Sequence, residues 1–132
     1  METFITLRAL SASPLIMGGD LPTLDARSLK LITDPDVIAC NQNGVMGRLI
    51  SETDGGIEIW FAPEKTNPAR GWFGIFNRTA TARDIALTPA QLALKTDATL
   101  TDIWNARRPL NVRAATPAQV TIPANSALFL RL

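Results

Sequence analysis

The side chains able to do chemistry in this chain are its carboxylates and its three tryptophans. The 132 residues include no histidine, which excludes Ser-His-Asp and Cys-His catalysis and every histidine-ligated metal site. Cys40 is the only cysteine, so no intramolecular disulfide can form. Its apolar flank predicts a small buried residue at a helix end rather than a nucleophile. We expect neither a metal nor a cofactor.

The tryptophans could form a platform for a carbohydrate, because aromatic faces stack on sugar rings. Trp60 is opposite in strand parity to Ile57, Ile59 and Phe61, and Trp104 ends a strand. Alternation therefore leaves two roles open for Trp60, Trp72 and Trp104, which are packing in a core and stacking on a sugar. The chain has no tyrosine, which is unusual for a sugar-binding surface.

Composition indicates a folded globular chain, with 46% hydrophobic and 19% charged residues. The 13 basic and 12 acidic residues are not clustered, so we expect no nucleic-acid partner. Arg107-Arg108 is the only adjacent basic pair, and we interpret it as a solvated turn. No apolar run is long enough to cross a bilayer, so we expect a soluble chain without a membrane partner.

Two parts with different patterns divide the chain at residue 43. In residues 1–43, Phe4, Leu7, Leu10 and Ala9 fall at helical spacing. Leu15-Ile16-Met17 is typical of a strand buried on both faces in a parallel sheet. Asp25 and Asp34 are expected to cap two further helices.

Residues 44–132 show the alternation and the turn residues of an antiparallel β-sandwich with seven or eight strands. A hairpin is expected around Asp54-Gly55-Gly56, and the strongest strand is Gly71 to Arg78. We expect residues 82–87 to pair with that strand across Thr79-Ala80-Thr81. We also expect residues 44–132 to fold without residues 1–43.

Several motifs resemble the end of the α-galactosidase-like (melibiase, glycoside hydrolase family 27 type) glycoside hydrolases. The first motif, Ser13 to Leu21, is similar to the family's "SPLI-x-G-x-D-L" strand. The second motif, Val37 to Asn43, is similar to its "xVIAxNQD" turn. Four later strands resemble that family in the same order: Ile57 to Trp60, Gly74 to Arg78, Thr101 to Trp104 and Ser126 to Leu132. Gly19 and Asn43 depart from the family's usual asparagine and aspartate.

The resemblance implies a helix–strand–helix remnant of a (β/α)8 barrel in residues 1–43, followed by a mainly β, antiparallel C-terminal sandwich domain in residues 44–132. A complete barrel needs about 250 residues, which exceeds this chain. The family's reaction is retaining hydrolysis of α-linked galactose or a related sugar. Its nucleophile and acid/base lie in "KxDxC" and "SDD" motifs that do not occur here, so no catalytic residue is expected.

Asp20 follows the apolar run and Gly18-Gly19, at the end of the expected last barrel strand. Active sites of such barrels gather at that end. The resemblance therefore gives Asp20 one role as a rim carboxylate that contacts sugar or orients its neighbours. The other role is to cap the turn that follows.

Three functions stay open from the sequence. The first is a non-catalytic C-terminal part of an α-galactosidase-like hydrolase, which supports the barrel. The second is a carbohydrate-binding module, and the third is a subunit that completes a barrel supplied by another chain. The expected partners are accordingly the remaining barrel, a second copy of the chain, or a carbohydrate. For the hydrolase to which such a part would belong, we consider two locations, outside the cell and the periplasm.

Overall fold

Three helices come before eight strands in this protein, whose computed structural model describes residues 1–16, 18–53 and 55–132. The helices are α1 (Glu2–Leu10), α2 (Ala26–Ile32) and α3 (Pro35–Gln42), with a single 3₁₀ turn at Leu21–Thr23. The strands are β1 (Arg48–Thr53), β2 (Ile57–Pro63), β3 (Gly71–Asn77), β4 (Arg83–Leu87), β5 (Ala98–Asp102), β6 (Arg108–Val112), β7 (Ala118–Ile122) and β8 (Ala127–Arg131). The mainly β fold with helices at its start confirms the expected fold class.

Both expected helix caps are present. Asp25 accepts a hydrogen bond from the Ser28 amide at 2.9 Å, and so begins α2. Asp34 accepts from the amides of Asp36 at 2.9 Å and Val37 at 3.3 Å, with Pro35 at the first position of α3. Each cap satisfies amides that have no partner within the helix, which fixes where the two helices begin.

Six strands form one antiparallel sheet in the order β1-β2-β3-β8-β5-β6, and β4 and β7 form a second. The expected pairing of residues 82–87 with β3 is therefore wrong, because β4 pairs with β7. Asn77 gives the physical reason. Its buried amide donates to the carbonyls of Thr81 at 2.8 Å and Ile122 at 3.0 Å, and its oxygen accepts from the Thr79 amide at 2.9 Å. These bonds turn the chain out of the first sheet and into the second.

The six-stranded sheet has a core on each face. The inner core lies between the two sheets and is built on fully buried side chains that include Phe73, Ile75, Leu100 and Leu130. The outer core lies between the six-stranded sheet and the helices. From the helices come Ile5, Ala9, Leu10, Val37 and Cys40, which meet Ala62, Trp72, Phe76 and Phe129 of the strands. The molecule is thus layered as helices, large sheet and small sheet.

Helix α1 buries a different face from the one expected. Phe4 and Leu7 are 58% and 38% exposed, whereas Ile5, Thr6, Ala9 and Leu10 are buried. The expected stripe is correct for Ala9 and Leu10 and wrong for Phe4 and Leu7. Apolar residues lie on more than one side of α1, and the sheet below selects the side that carries the small residue Ala9.

The expected strand at residues 15–17 is not found within the described residues. Residues 13–16 have no regular secondary structure, and Met17 lies outside the described residues. Ile16 is 81% exposed and Leu15 is half-buried. A strand buried on both faces needs paired neighbours and cover on each side, and residues 13–16 pair with no strand of the described chain.

The position of the domain boundary at residues 43 and 44 stays a prediction. No helix of the described residues is long and apolar enough to cross a membrane.

Candidate functional site

Asp20 lies at the start of the 3₁₀ turn and is exposed. Its side chain accepts no hydrogen bond from that turn. Its backbone carbonyl accepts instead, from the amide of Thr23 at 3.2 Å and from the Thr23 hydroxyl at 3.1 Å. The carboxylate therefore does not cap the turn, and the role of Asp20 at the rim of a sugar site stays a prediction.

Trp72 is closed to a sugar in this structure. The residue is 3% exposed, and the guanidinium carbon of Arg131 lies 4.0 Å from the centre of its ring. Arg131 faces Trp72 across the β3–β8 pair, and Glu64 binds the same guanidinium. Within the described residues, Trp72 Nε1 and Arg131 Nη1 are buried without a hydrogen-bond partner. A packing role accounts for this tryptophan, and the stacking role expected for it does not fit its burial.

Trp60 and Trp104 are half-buried and pack against the outer core. The Trp60 indole donates to Glu58 Oε2 at 3.0 Å. Trp104 lies beyond the end of β5, in the turn at residues 103–107, and its indole donates to Thr6 Oγ1 at 2.8 Å. All three tryptophans lie on the helical side of the sheet, yet only these two retain accessible surface for the predicted stacking.

A pocket of about 260 Å³ lies beside Trp104. Its lining includes the charged residues Glu2, Arg27, Lys30 and Asp34, which come from α1, from α2 and from the cap of α3. Glu2 and Arg27 form an ion pair at 3.1 Å. The pocket thus combines one aromatic ring with hydrogen-bond donors and acceptors.

An ionic network that the sequence did not reveal joins α3 to two strand ends. Arg107 donates to Asp34 Oδ2 at 2.8 Å and also binds Asp36. Arg131 lies 4.0 Å from Asp36 Oδ1 through its Nε atom and also binds Glu64. The hydrogen bond to Asp36 is the largest contribution that raises the pKa of the Arg107 guanidinium. Arg107 lies in an exposed turn, as expected, but it also binds two carboxylates that the sequence did not indicate. Its partners are more than 70 residues away in sequence, so no local pattern could identify them.

Two asparagines attach the helices to loops. Asn41 donates to the Ser13 carbonyl at 2.6 Å, as its expected bonding to loop backbone requires. Asn43, which departs from the family's usual aspartate, donates to the Pro63 carbonyl at 2.8 Å and accepts from the Lys65 amide at 2.8 Å. An ionised carboxylate could accept from Lys65 but could not donate to Pro63. Asparagine therefore suits this junction.

Cys40 is fully buried in α3, as expected. Burial raises the pKa of its thiol to about 12. The neutral thiol is a poor nucleophile, so Cys40 is a packing residue. Within residues 1–16, 18–53 and 55–132, no group of three or more metal-ligating side chains comes together.

A second, larger cleft of about 740 Å³ is lined by residues of β1, β2 and β3 and by the segment of residues 92–98. Its floor includes Phe61 and Phe73, whose rings stack at 4.5 Å between centroids. Arg48, Arg70 and Lys95 stand at its rim. The sequence indicated the aromatic floor through strand alternation, but not the cleft.

Comparison with known proteins relates the chain to α-galactosidases. It is 31% identical over 106 residues to α-galactosidase D of Emericella nidulans, and 31% identical over 101 residues to α-galactosidase 2 of Arabidopsis thaliana. These matches cover 78% and 75% of this chain, but only 16% and 24% of the respective relatives. The chain therefore spans less than a quarter of the length of these relatives. No family model matches it.

Solved structures share the fold over almost the whole chain. α-Galactosidase I from Mortierella vinacea superposes with a TM-score of 0.80 at 20% identity, over 98% of this chain and 34% of that one. A GH27 β-L-arabinopyranosidase from Geobacillus stearothermophilus superposes with a TM-score of 0.83 at 21% identity, over 98% and 29% of the two chains. By sequence and by fold, the chain belongs with the α-galactosidase-like glycoside hydrolases and corresponds to their C-terminal portion.

Proposed function

We propose that this chain is a non-catalytic supporting unit of an α-galactosidase-like glycoside hydrolase, and that its helical side docks on a (β/α)8 barrel. The observation that carries the proposal is the distribution of exposed apolar side chains. Six of the eight large hydrophobic residues exposed in the described chain fall within residues 1–29, namely Met1, Phe4, Leu7, Ile16, Leu21 and Leu29.

A groove of about 330 Å³ opens on this side of the molecule. Its apolar lining includes Met1, Phe4, Leu15, Ile16, Leu24 and Ile32. Contiguous apolar surface of this kind marks an interaction site more often than a solvated face. Burying one such side chain fully contributes about 1.5–3 kcal/mol. Covering several of them is therefore enough to hold a second folded unit against the helices.

Residues 13–21 and 37–43 resemble the last elements of the family's catalytic barrel, and this similarity favours a barrel as the partner. A second copy of this chain is the alternative occupant of the same surface. In either complex, the small sheet remains on the far side of the six-stranded sheet, and the two sheets together support the docked helices.

The carboxylates also favour a non-catalytic role. Retaining glycosidases need two carboxyl groups about 5–5.5 Å apart, one of them free to attack the sugar. Asp34 and Asp36 come together here, but both bind Arg107, and Asp34 also caps α3. Their charges and lone pairs are committed to holding the fold.

An activity assay tests the first half of the proposal. Purified chain is incubated with a nitrophenyl α-galactoside, and we expect no release of nitrophenol above that of a heat-denatured sample. Turnover that disappears in Asp20→Asn would overturn the non-catalytic role.

Sedimentation velocity on the chain alone tests whether the helical surface is adhesive. We expect self-association in the absence of a barrel, and less of it in Ile16→Glu. Met46→Glu is the matched control, since Met46 is also exposed but lies outside residues 1–29. A monomer at all concentrations, with residues 4–16 exchanging amide hydrogens at random-coil rates, would contradict the proposal.

A further inference from the structure

We propose that the pocket beside Trp104 binds one neutral sugar ring. Trp104 provides the aromatic wall, and Glu2, Arg27 and Lys30 provide hydrogen bonds to the hydroxyl groups. This inference concerns residues of this chain alone and does not depend on docking to a barrel.

The wall of the pocket is held in place before any ligand arrives. The Trp104 indole N–H is fixed by its 2.8 Å bond to the buried Thr6 hydroxyl. Its ring leans on Phe129, with 5.7 Å between centroids and 36° between planes. An aromatic ring that is already oriented loses little conformational entropy when a sugar stacks on it. The indole is therefore suited to stacking, while its N–H is not available to a ligand.

Polar groups around the pocket match the dual character of a sugar hydroxyl, which both donates and accepts hydrogen bonds. Arg27 and Lys30 can donate, and the Glu2 carboxylate can accept through the oxygen that Arg27 does not use. Lys30 forms no ion pair with any other described residue. Stacking together with donors and acceptors indicates a polyhydroxylated ligand rather than a purely apolar one.

Most charges of the pocket are already paired within the protein. Its lining has two cations, Arg27 and Lys30, and two anions, Glu2 and Asp34, so that their formal charges cancel. Asp34 is 8% exposed and binds Arg107, and Glu2 binds Arg27, so Lys30 is the one charged group of this lining without an ion-pair partner among the described residues. A single cation can donate to a sugar hydroxyl group but does not form the cluster of positive charge that a phosphate favours. The volume of about 260 Å³ limits the site to a single sugar unit.

Amide NMR titration of the full chain tests the site, with methyl α-D-galactopyranoside as the probe. We expect saturable shifts of the Trp104 indole resonance and of the amides of residues 27–31 and 103–106, with a Kd of roughly 1–10 mM. The indole resonance is assigned with Trp104→Phe, which keeps an aromatic ring at the site. Titration with inorganic phosphate under the same conditions is the second arm.

Variants on exposed positions separate binding from folding. Removing one hydrogen bond costs about 1 kcal/mol, so Arg27→Ala and Lys30→Ala should each weaken the sugar about five-fold without lowering the melting temperature. Lys95→Ala, at the rim of the larger cleft, is the matched control and should leave the Kd unchanged. No saturable shift up to about 50 mM sugar would overturn the proposal. It would also be overturned if the same amides responded to phosphate and not to the sugar.

Discussion

Leu10 of α1 occupies the space above Gly74 of β3. A Cβ atom built on Gly74 would come within 2.3 Å of Leu10 Cδ1 and 2.7 Å of a ring carbon of Phe76. Glycine is therefore required at this point of the strand because α1 approaches the sheet so closely. The same helix is also tied at its end, where the Gly47 amide donates to the Leu10 carbonyl at 2.6 Å. Together these contacts seat the helical layer on the sandwich.

Gly74→Ala should destabilise the chain by about 1–3 kcal/mol, since the added methyl group must displace the Leu10 side chain or the Phe76 ring from a packed core. Denaturant unfolding measures the loss. Gly19→Ala is the control, because a Cβ at Gly19 meets no atom within 4 Å. Equal stability of Gly74→Ala and the unchanged chain would show that α1 is not seated as described.

Asp34→Ala should cost about 2 kcal/mol of unfolding free energy, because it removes the cap of α3 and also leaves Arg107 with one carboxylate fewer. Asp25→Ala removes only the exposed cap of α2 and should cost less. Thermal melts of both variants in the same buffer show which substitution lowers the stability more. A larger loss from Asp25→Ala would contradict the structural role given to the network of Asp34, Asp36 and Arg107.

Because the thiol of Cys40 is buried, we expect the stability of the chain to fall at alkaline pH. Burial raises the pKa of its thiol from the ordinary value of 9.0 to about 12 in the folded chain. Above pH 9 the unfolded chain releases this proton and the folded chain keeps it, so stability falls as the pH rises from 9 towards 12. The slope from this group approaches about 1.4 kcal/mol per pH unit. Urea unfolding at several pH values should show a smaller fall in Cys40→Ala, and the chain has no tyrosine to confuse the titration. An identical slope in the variant would contradict the burial of the thiol.

Removing residues 1–43 uncovers the outer core while leaving the inner core intact. Trp72, Phe76 and Phe129 would lose the cover of α1 and α3. We expect residues 44–132 to keep a dispersed amide spectrum and a cooperative melt, at a lower melting temperature and with a tendency to associate. A collapsed, aggregating product without a cooperative melt would show that the sandwich needs its helices in order to fold.

Local chemistry in the sequence predicted much of this fold. The caps at Asp25 and Asp34 need only neighbouring residues, and the strands follow from alternation between turn residues. The errors concern relationships across the fold. The pairing of β4 depends on how Asn77 bonds to residues near position 122, and the buried side of α1 depends on the space above Gly74.

The candidate site could also be predicted only in part from the sequence. Trp104 could be identified from the sequence as an aromatic candidate, but its pocket brings together residues 2, 27, 30 and 34, which share no local pattern with it. Trp72 was identified by the same reasoning, and its cover by Arg131 could not be foreseen from strand parity. The strand at residues 15–17 was expected because its apolar run is typical of a parallel sheet, and the described part of this chain contains no parallel strand pair.

Mixing the chain with a catalytic barrel tests the central claim most directly. The barrel portion of a similar α-galactosidase is expressed without its own C-terminal domain and combined with this chain in sedimentation velocity. We predict a one-to-one complex that Ile16→Glu disrupts and Met46→Glu leaves intact, because Ile16 lies in the apolar groove and Met46 does not. Two separate sedimenting species, or a complex equally insensitive to both substitutions, would contradict the claim that the helical side is the docking surface.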